Sequence, residues 1–193
     1  MKQHPALALI EFSSIAAGTR ATDALTKKAP VTLIRVGSLQ PGKFAVLFAG
    51  DVASVDESFV AGLQAGAEFV VDRVLLPNVD EGVYNALVTG VSPWSGDTIG
   101  IIETSTLAAT IQAADAAVKG ASVNVVEIRL GDGLGGKGVA HFCGVQADVE
   151  AAIEIGYAAA AADGRSVCTV VIPRIDDGVR AGLAASTCFR EEP

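Results

Sequence analysis

The chain has 193 residues, of which half are apolar and 5% aromatic, and its formal net charge is −8. The negative charge argues against nucleic-acid partners and anionic membrane surfaces, because both repel an acidic protein. No run of 18 apolar residues occurs, so the sequence predicts no membrane-spanning helix.

The beginning of the chain recurs 92 residues later. Segment 10–31 matches segment 102–123 at 11 of 22 positions, and five of these identities are alanine. Further matches follow at spacings of 94 and 96 residues, which is how duplicated domains diverge through insertions in loops. A repeat of this length is a small domain, so we predict two domains, 6–88 and 98–186.

Each copy reads as strand, helix, strand, strand, helix, strand and a short helix. The predicted strands of the first copy are 8–12, 31–36, 44–49 and 69–76, and its helices are 15–29, 52–66 and 81–87. The predicted strands of the second copy are 99–104, 123–130, 139–143 and 168–172, and its helices are 106–120 and 147–162. The order βαββαβ predicts two copies of a ferredoxin-like fold of the α/β (α+β) class.

A glycine-rich turn joins the second and third strands of each copy. The second turn, GDGLGGK at 131–137, fits the phosphate-loop pattern G-x-x-x-x-G-K. We reject phosphate binding because Gly138 replaces the magnesium-binding hydroxyl and because a strand, not a helix, follows. The first turn, within 37–42, has the same position without the pattern. The glycines therefore indicate positive backbone torsions or a crowded symmetry axis.

Catalytic candidates are few. His141 lies alone inside a predicted strand, where a histidine usually has a packing role. Glu11 and Glu103 end the first strand of each copy, where they are acidic catalysts or, with better support, structural hydrogen-bonding groups. The sequence predicts no catalytic residue.

The cysteines are Cys143, Cys168 and Cys188. Their spacing fits no metal site and their number is odd, so we expect reduced thiols in a cytoplasmic protein. The sequence predicts no bound metal.

The order and duplication of several short motifs resemble bacterial microcompartment shell proteins of the tandem-domain, trimer-forming class. The resemblance covers about 6–186, and its motifs are IIET (101–104), AADAAVK (113–119), GGK (135–137), ADVEAA (147–152) and VIPR (171–174). It implies a flat pseudohexagonal tile of three chains that meets other shell proteins edge to edge in the cytoplasm.

The resemblance also implies a central pore for small metabolites, ringed by the hairpin loops. By position, its lining residues are Ser38, Leu39 and Gln40 from the first copy and Asp132, Gly133 and Leu134 from the second.

The edge positions of the family fall on Lys27, Lys119 and Arg174, while Asn78 takes the place of the arginine in the first copy. Both lysines also end a helix, where a cation suits the helix dipole.

A propanediol-utilisation member of this class carries an iron–sulfur cluster at its pore. Neither hairpin loop here contains cysteine. The resemblance also implies a cysteine in that relative at the position where this chain has Thr110, and a threonine cannot bind the cluster iron. The sequence therefore predicts no cluster and no other cofactor.

Two functions remain open from the sequence. The first is a structural shell protein with a pore for metabolites. The second is a trimeric enzyme or small-molecule-binding protein with a site between subunits. The lack of a catalytic set favours the first, and the formation of two-dimensional sheets would distinguish the two.

The first prediction concerns the pore. Copies of Asp132 around an axis would place negative charge in a confined throat and disfavour anions. We expect Asp132→Asn to raise the entry of anionic metabolites into assembled shells relative to neutral ones, measured by uptake of paired probes. An unchanged ratio would mean that Asp132 turns towards backbone amides or Lys137 and does not face the axis.

Overall fold

The computed structural model describes residues 5–131, 133–162 and 164–187. The strands in these ranges are β1 (Ala6–Phe12), β2 (Thr32–Leu39), β3 (Lys43–Gly50), β4 (Val70–Leu76), β5 (Thr98–Thr104), β6 (Asn124–Leu130), β7 (Gly138–Gly144) and β8 (Val167–Ile172). The α-helices are α1 (Ile15–Lys28), α2 (Val52–Gly66), α3 (Glu81–Val88), α4 (Leu107–Gly120), α5 (Gln146–Ala161) and α6 (Asp177–Ala185). A 3₁₀ turn, Ala67–Phe69, precedes β4.

Each half of the chain forms a four-stranded antiparallel sheet. The strand orders are β2-β3-β1-β4 and β6-β7-β5-β8, so the two sheets have the same topology. The registers also correspond, because Glu11 pairs with Ala45 and Glu103 pairs with Val139. The predicted fold class, two tandem ferredoxin-like βαββαβ units, is confirmed.

Polar side chains fix where the helices begin. The Ser14 hydroxyl accepts a hydrogen bond from Ala17 N in α1, and Thr106 does the same for Ala109 N in α4. The Asp51 carboxylate caps α2 by accepting from Ser54 N. Each cap satisfies a backbone N–H that has no partner within its own helix.

The first hairpin is tighter than the sequence predicts. We expected a turn across 37–42, but β2 continues to Leu39 and the turn occupies only 40–42. Gly37 and Ser38 pair with Ala45 and Phe44 of β3. The prediction was wrong because glycine in this segment was interpreted as a turn residue, whereas cross-strand pairing carries Gly37 in the sheet.

The two faces of the first sheet have different partners. One face, which includes Ile10 and Phe48, packs against α1 and α2 in a core of its own. The other face, which includes Leu9 and Leu47, belongs to a second core that continues into the second domain. The main elements across this boundary are β1, β4 and α3 from the first domain and α4 and β6 from the second. We call this boundary the domain seam.

Small residues let α5 approach α4 and the second sheet. A Cβ atom on Gly156 of α5 would lie 2.5 Å from Ile102 Cδ1 and 3.0 Å from the backbone oxygen of Ala113. The isoleucine can rotate, but the backbone of α4 cannot yield without moving the helix.

We expect Gly156→Ala to lower the free energy of unfolding by about 1–3 kcal/mol, because overpacking outweighs the roughly 1 kcal/mol by which helix propensity favours alanine. Gly182→Ala in α6 is the matched control, since nothing lies within 4 Å of its Cβ position. The control should be neutral or stabilising. Chemical denaturation of both variants tests this, and equal stability of the two would contradict it.

Candidate functional site: the domain seam and the hairpin loops

A buried carboxylate joins the two domains at the first turn of α4. Glu11 is the penultimate residue of β1 and has no solvent exposure. Its Oε1 atom accepts a hydrogen bond of 2.9 Å from Ala108 N, across the seam. The position at a helix N-terminus favours a negative charge through the helix dipole. Lys43 Nζ lies 3.7 Å from the other carboxylate oxygen.

Burial raises the pKa of Glu11 above its usual value, and this is the largest influence on the carboxyl group. The Ala108 N–H and the Lys43 ammonium lower the pKa, and the Asp72 carboxylate raises it again. The cost of removing the Glu11 carboxylate from water is therefore only partly offset by the Ala108 N–H and the Lys43 ammonium.

The far end of α4 is fastened to the first domain as well. Asp115 Oδ1 accepts a hydrogen bond of 2.8 Å from Asp80 N, at the start of α3. Lys119 Nζ donates to the backbone oxygen of Asn78 at 2.6 Å and pairs with Asp115. Both ends of one helix are therefore anchored by charged side chains.

The third polar contact across the seam is an ion pair. Asp72 of β4 lies 2.7 Å from the Arg165 guanidinium, and both side chains are about nine-tenths buried. The Thr106 hydroxyl donates to the other oxygen of Asp72. Sequence analysis missed this pair because Asp72 has Cys168 as its counterpart, so the repeat gives no signal.

The counterparts of the seam residues lie on the outer surface. Glu103 pairs with Lys137 at 2.7 Å, and both side chains are about half exposed. Asp23 and Lys27 form an exposed pair at 2.6 Å within α1. The expected edge residues are thus placed differently, because Lys119 contacts the seam whereas Lys27 faces solvent.

Arg174, the third expected edge residue, is exposed in the turn after β8. Its backbone φ is +49°, in the left-handed region. Ile175 N, which follows in the chain, donates a hydrogen bond of 3.0 Å to the backbone oxygen of Asp97.

The two hairpin loops lie side by side. A Cβ atom on Gly136 would lie 2.8 Å from the backbone oxygen of Gln40, and one on Gly131 would lie 3.1 Å from Leu39 Cδ1. Both glycines have positive φ, so the turn geometry and the close approach each require glycine.

The described members of the expected pore set therefore lie in two adjacent hairpins. Ser38, Gln40 and Gly133 are exposed there, while Leu39 and Leu134 are half-buried. Asp132 lies outside the described residues.

The remaining candidate residues from the sequence analysis make contacts that have a structural role. Lys137 binds Glu103, and a strand begins at Gly138, as the rejection of a phosphate loop requires. His141 is buried with its ring centroid 6.1 Å from that of Trp94, and burial lowers its pKa. Thr110 is buried in α4 and shares a hydrogen bond of 2.6 Å with Thr104.

The described residues contain neither a cluster of metal-binding side chains nor a helix that could span a membrane. Across 5–131, 133–162 and 164–187, no three His, Cys, Asp or Glu side chains converge on a point. In the same ranges, no helix is long and apolar enough to cross a bilayer. Cys143 and Cys168 are free thiols, and Cys188 lies outside the described residues.

Comparison with known proteins identifies this arrangement. The BMC domain profile matches residues 6–79 and again residues 98–175. The chain therefore belongs to the BMC domain family of bacterial microcompartment shell proteins and carries two such domains in tandem. The assignment to tandem-domain shell proteins, made from the sequence motifs, is confirmed.

Individual relatives agree with the family. The bacterial microcompartment shell protein PduT of Citrobacter freundii is 36% identical over 169 residues, covering 88% of this chain and 92% of the relative. The carboxysome assembly protein CcmO of Synechocystis sp. is 27% identical over 202 residues, covering 97% of this chain and 67% of the relative. The crystal structure of a microcompartment protein from Desulfitobacterium hafniense superposes with a TM-score of 0.82 at 40% identity, covering 91% of this chain and 98% of that chain.

The seam carboxylate generates a prediction about pH. The pKa of Glu11 is higher in the folded than in the unfolded state, so the folded protein binds its proton more tightly. The contribution of Glu11 to stability is therefore fully present below about pH 4.5 and is lost as the pH rises through the folded-state pKa. Glu11→Gln keeps an oxygen for Ala108 N and removes this loss.

We expect the stability of Glu11→Gln relative to the native chain to increase between acid and neutral pH. Denaturant unfolding at a series of pH values and at one protein concentration measures the difference, since association also stabilises. The exposed Glu154, changed to Gln, is the control. Parallel pH curves for the native chain and Glu11→Gln would show that the buried carboxylate carries no linked proton.

Proposed function

We propose that three copies of this structural shell protein close into a pseudohexagonal ring with a narrow central pore, and that the rings meet edge to edge as tiles of a microcompartment facet. The duplication supports this, because two-domain chains complete a six-membered ring in three copies. We assign the chain no reaction, since the named relatives are shell and assembly proteins.

The ring proposal rests on one observation. Apolar side chains that are buried at the seam in one domain have exposed counterparts in the other domain. Leu107 of α4 is 3% exposed at the seam, whereas its counterpart Ile15 of α1 is 47% exposed. Ile128 of β6 is 3% exposed, whereas its counterpart Val36 of β2 is 45% exposed. The first domain therefore presents an uncovered copy of the surface that the second domain buries.

The second domain presents the complementary surface. Val74 of β4 is 6% exposed, but its counterpart Val170 of β8 is 44% exposed. Val83 of α3 is fully buried, and its counterpart Val179 of α6 is 52% exposed. One exposed half-seam at each end of the chain is what a closed ring of like chains requires.

The pore proposal rests on the two hairpin loops. Because the loops of both domains lie side by side, we propose that a ring brings all of them around its axis. The exposed Ser38 and Gln40 supply polar groups there. We propose that this throat passes small metabolites.

The test of the proposal has two readouts. Light scattering at micromolar concentration should give the mass of a trimer, and electron microscopy should show hexagonally packed sheets. A monomeric or dimeric mass would overturn the ring. A trimer that forms no sheets, alone or with other shell proteins, would favour the second function considered from the sequence, a trimeric small-molecule-binding protein or enzyme.

A prediction for the tile edge follows from the exposure of Arg174. We expect Arg174→Asn to leave the trimer intact and to reduce sheet formation, because it removes the edge guanidinium. Asparagine is the residue of the first copy at this place and tolerates a left-handed φ. Lys119→Ala should likewise spare the trimer, and unchanged sheets in both variants would reject the edge role.

A further inference from the structure

The charged residues that are identical in the two sequence copies include the residues whose side chains cross the domain seam. Apart from Ser13 and its counterpart, the polar identities between 10–31 and 102–123 are one glutamate, one aspartate and one lysine per copy. In the described structure, one member of each pair crosses the seam. These members are Glu11, Asp115 and Lys119.

Among the described residues, the opposite members make no contact across the seam. Glu103 is about half exposed beside Lys137, and Asp23 and Lys27 are exposed on α1. A salt bridge between exposed side chains adds little stability, so neither pairing accounts well for the retention of these three residues.

The backbone groups that the anchors bind are also duplicated. Ala108, which donates to Glu11, corresponds to Ala16 in the first turn of α1. Ala16 is exposed. Within the described residues, the Ser14 hydroxyl caps Ala17 N in the first turn of α1, and no carboxylate takes the place that Glu11 has at α4.

The second anchor has a duplicated donor as well. Asp80, whose N–H binds Asp115, corresponds to Asp176, and each of these aspartates caps the helix that follows it. Asn78, whose carbonyl accepts from Lys119, corresponds to Arg174.

We infer that the next copy of the chain completes these contacts. The Glu103 carboxylate accepts from the Ala16 N–H of the next copy. At the other end of the same helix, Asp23 of the next copy accepts from the Asp176 N–H, and its Lys27 donates to the Arg174 carbonyl. The inference rests on the proposed ring and specifies which atoms hold it closed.

The surface chemistry supports this partner. The half-seam of the second domain offers an acidic side chain and exposed valines, and that of the first offers a helix N-terminus and exposed Ile15. The two surfaces are complementary in charge and both are apolar at their centres, as the buried seam is. A second copy of this chain carries both in the required order.

Cross-linking tests the first contact directly. Ala16→Cys and Glu103→Cys are made in separate chains, each with Cys168→Ser and Cys188→Ser. The chains are co-expressed and treated with a short bismaleimide. We expect a covalent dimer from the mixture and none from either variant alone, because each mixed ring has a single seam with both thiols.

The chain with only Cys168→Ser and Cys188→Ser is the control, and it should give no covalent dimer. A trimer by light scattering without the 16–103 dimer would overturn the inference and leave the ring proposal standing. A monomeric mass would overturn both.

Dissociation of the trimer gives an independent measure. Glu103→Ala removes a charge-assisted hydrogen bond, so we expect the dissociation constant per seam to rise about ten- to hundredfold. Glu103→Gln, which keeps an accepting oxygen, should recover part of this loss. The exposed Glu154→Ala should change nothing. Equal dissociation of Glu103→Ala and Glu154→Ala would contradict the contact.

Discussion

The burial of Glu11 against the first turn of α4 is the constraint around which the two domains are arranged. A carboxylate without solvent exposure needs donors, and it obtains one from a helix N-terminus of the other domain. Moving the second domain would remove that donor and leave the carboxylate with the Lys43 ammonium alone, at a cost of about 1–3 kcal/mol. The apolar side chains of the seam provide buried area, and the hydrogen bond from Ala108 N to Glu11 fixes the position of one domain relative to the other.

The sequence predicted the elements well because each copy has clear local signals. Ser14 and Asp51 begin helices through their side chains, and the duplication supported each assignment twice. The first hairpin was the exception, since Gly37 in a strand cannot be distinguished from a turn residue without its partner Ala45. Local chemistry therefore predicted the fold, and cross-strand pairing decided the remaining boundary.

The seam was less accessible to sequence reasoning. The identity of Glu11 and Glu103 predicted a structural hydrogen-bonding role, but nothing local indicated that the donor lies 97 residues away. Asp72 and Arg165 are far apart in sequence and outside the repeat pattern. Such contacts depend on how two domains are oriented, which periodicity and capping do not encode. The pore and edge residues rest on family resemblance for the same reason.

The Asp72–Arg165 ion pair makes the two halves of the chain non-interchangeable. Both charges are nearly buried, and the position of Asp72 is taken by an uncharged Cys168 in the second domain. A single-domain relative that replaced either half would bury one of these charges without its opposite, which is strongly unfavourable. Because both domains are fused in one chain, every Asp72 is made together with the Arg165 that neutralises it.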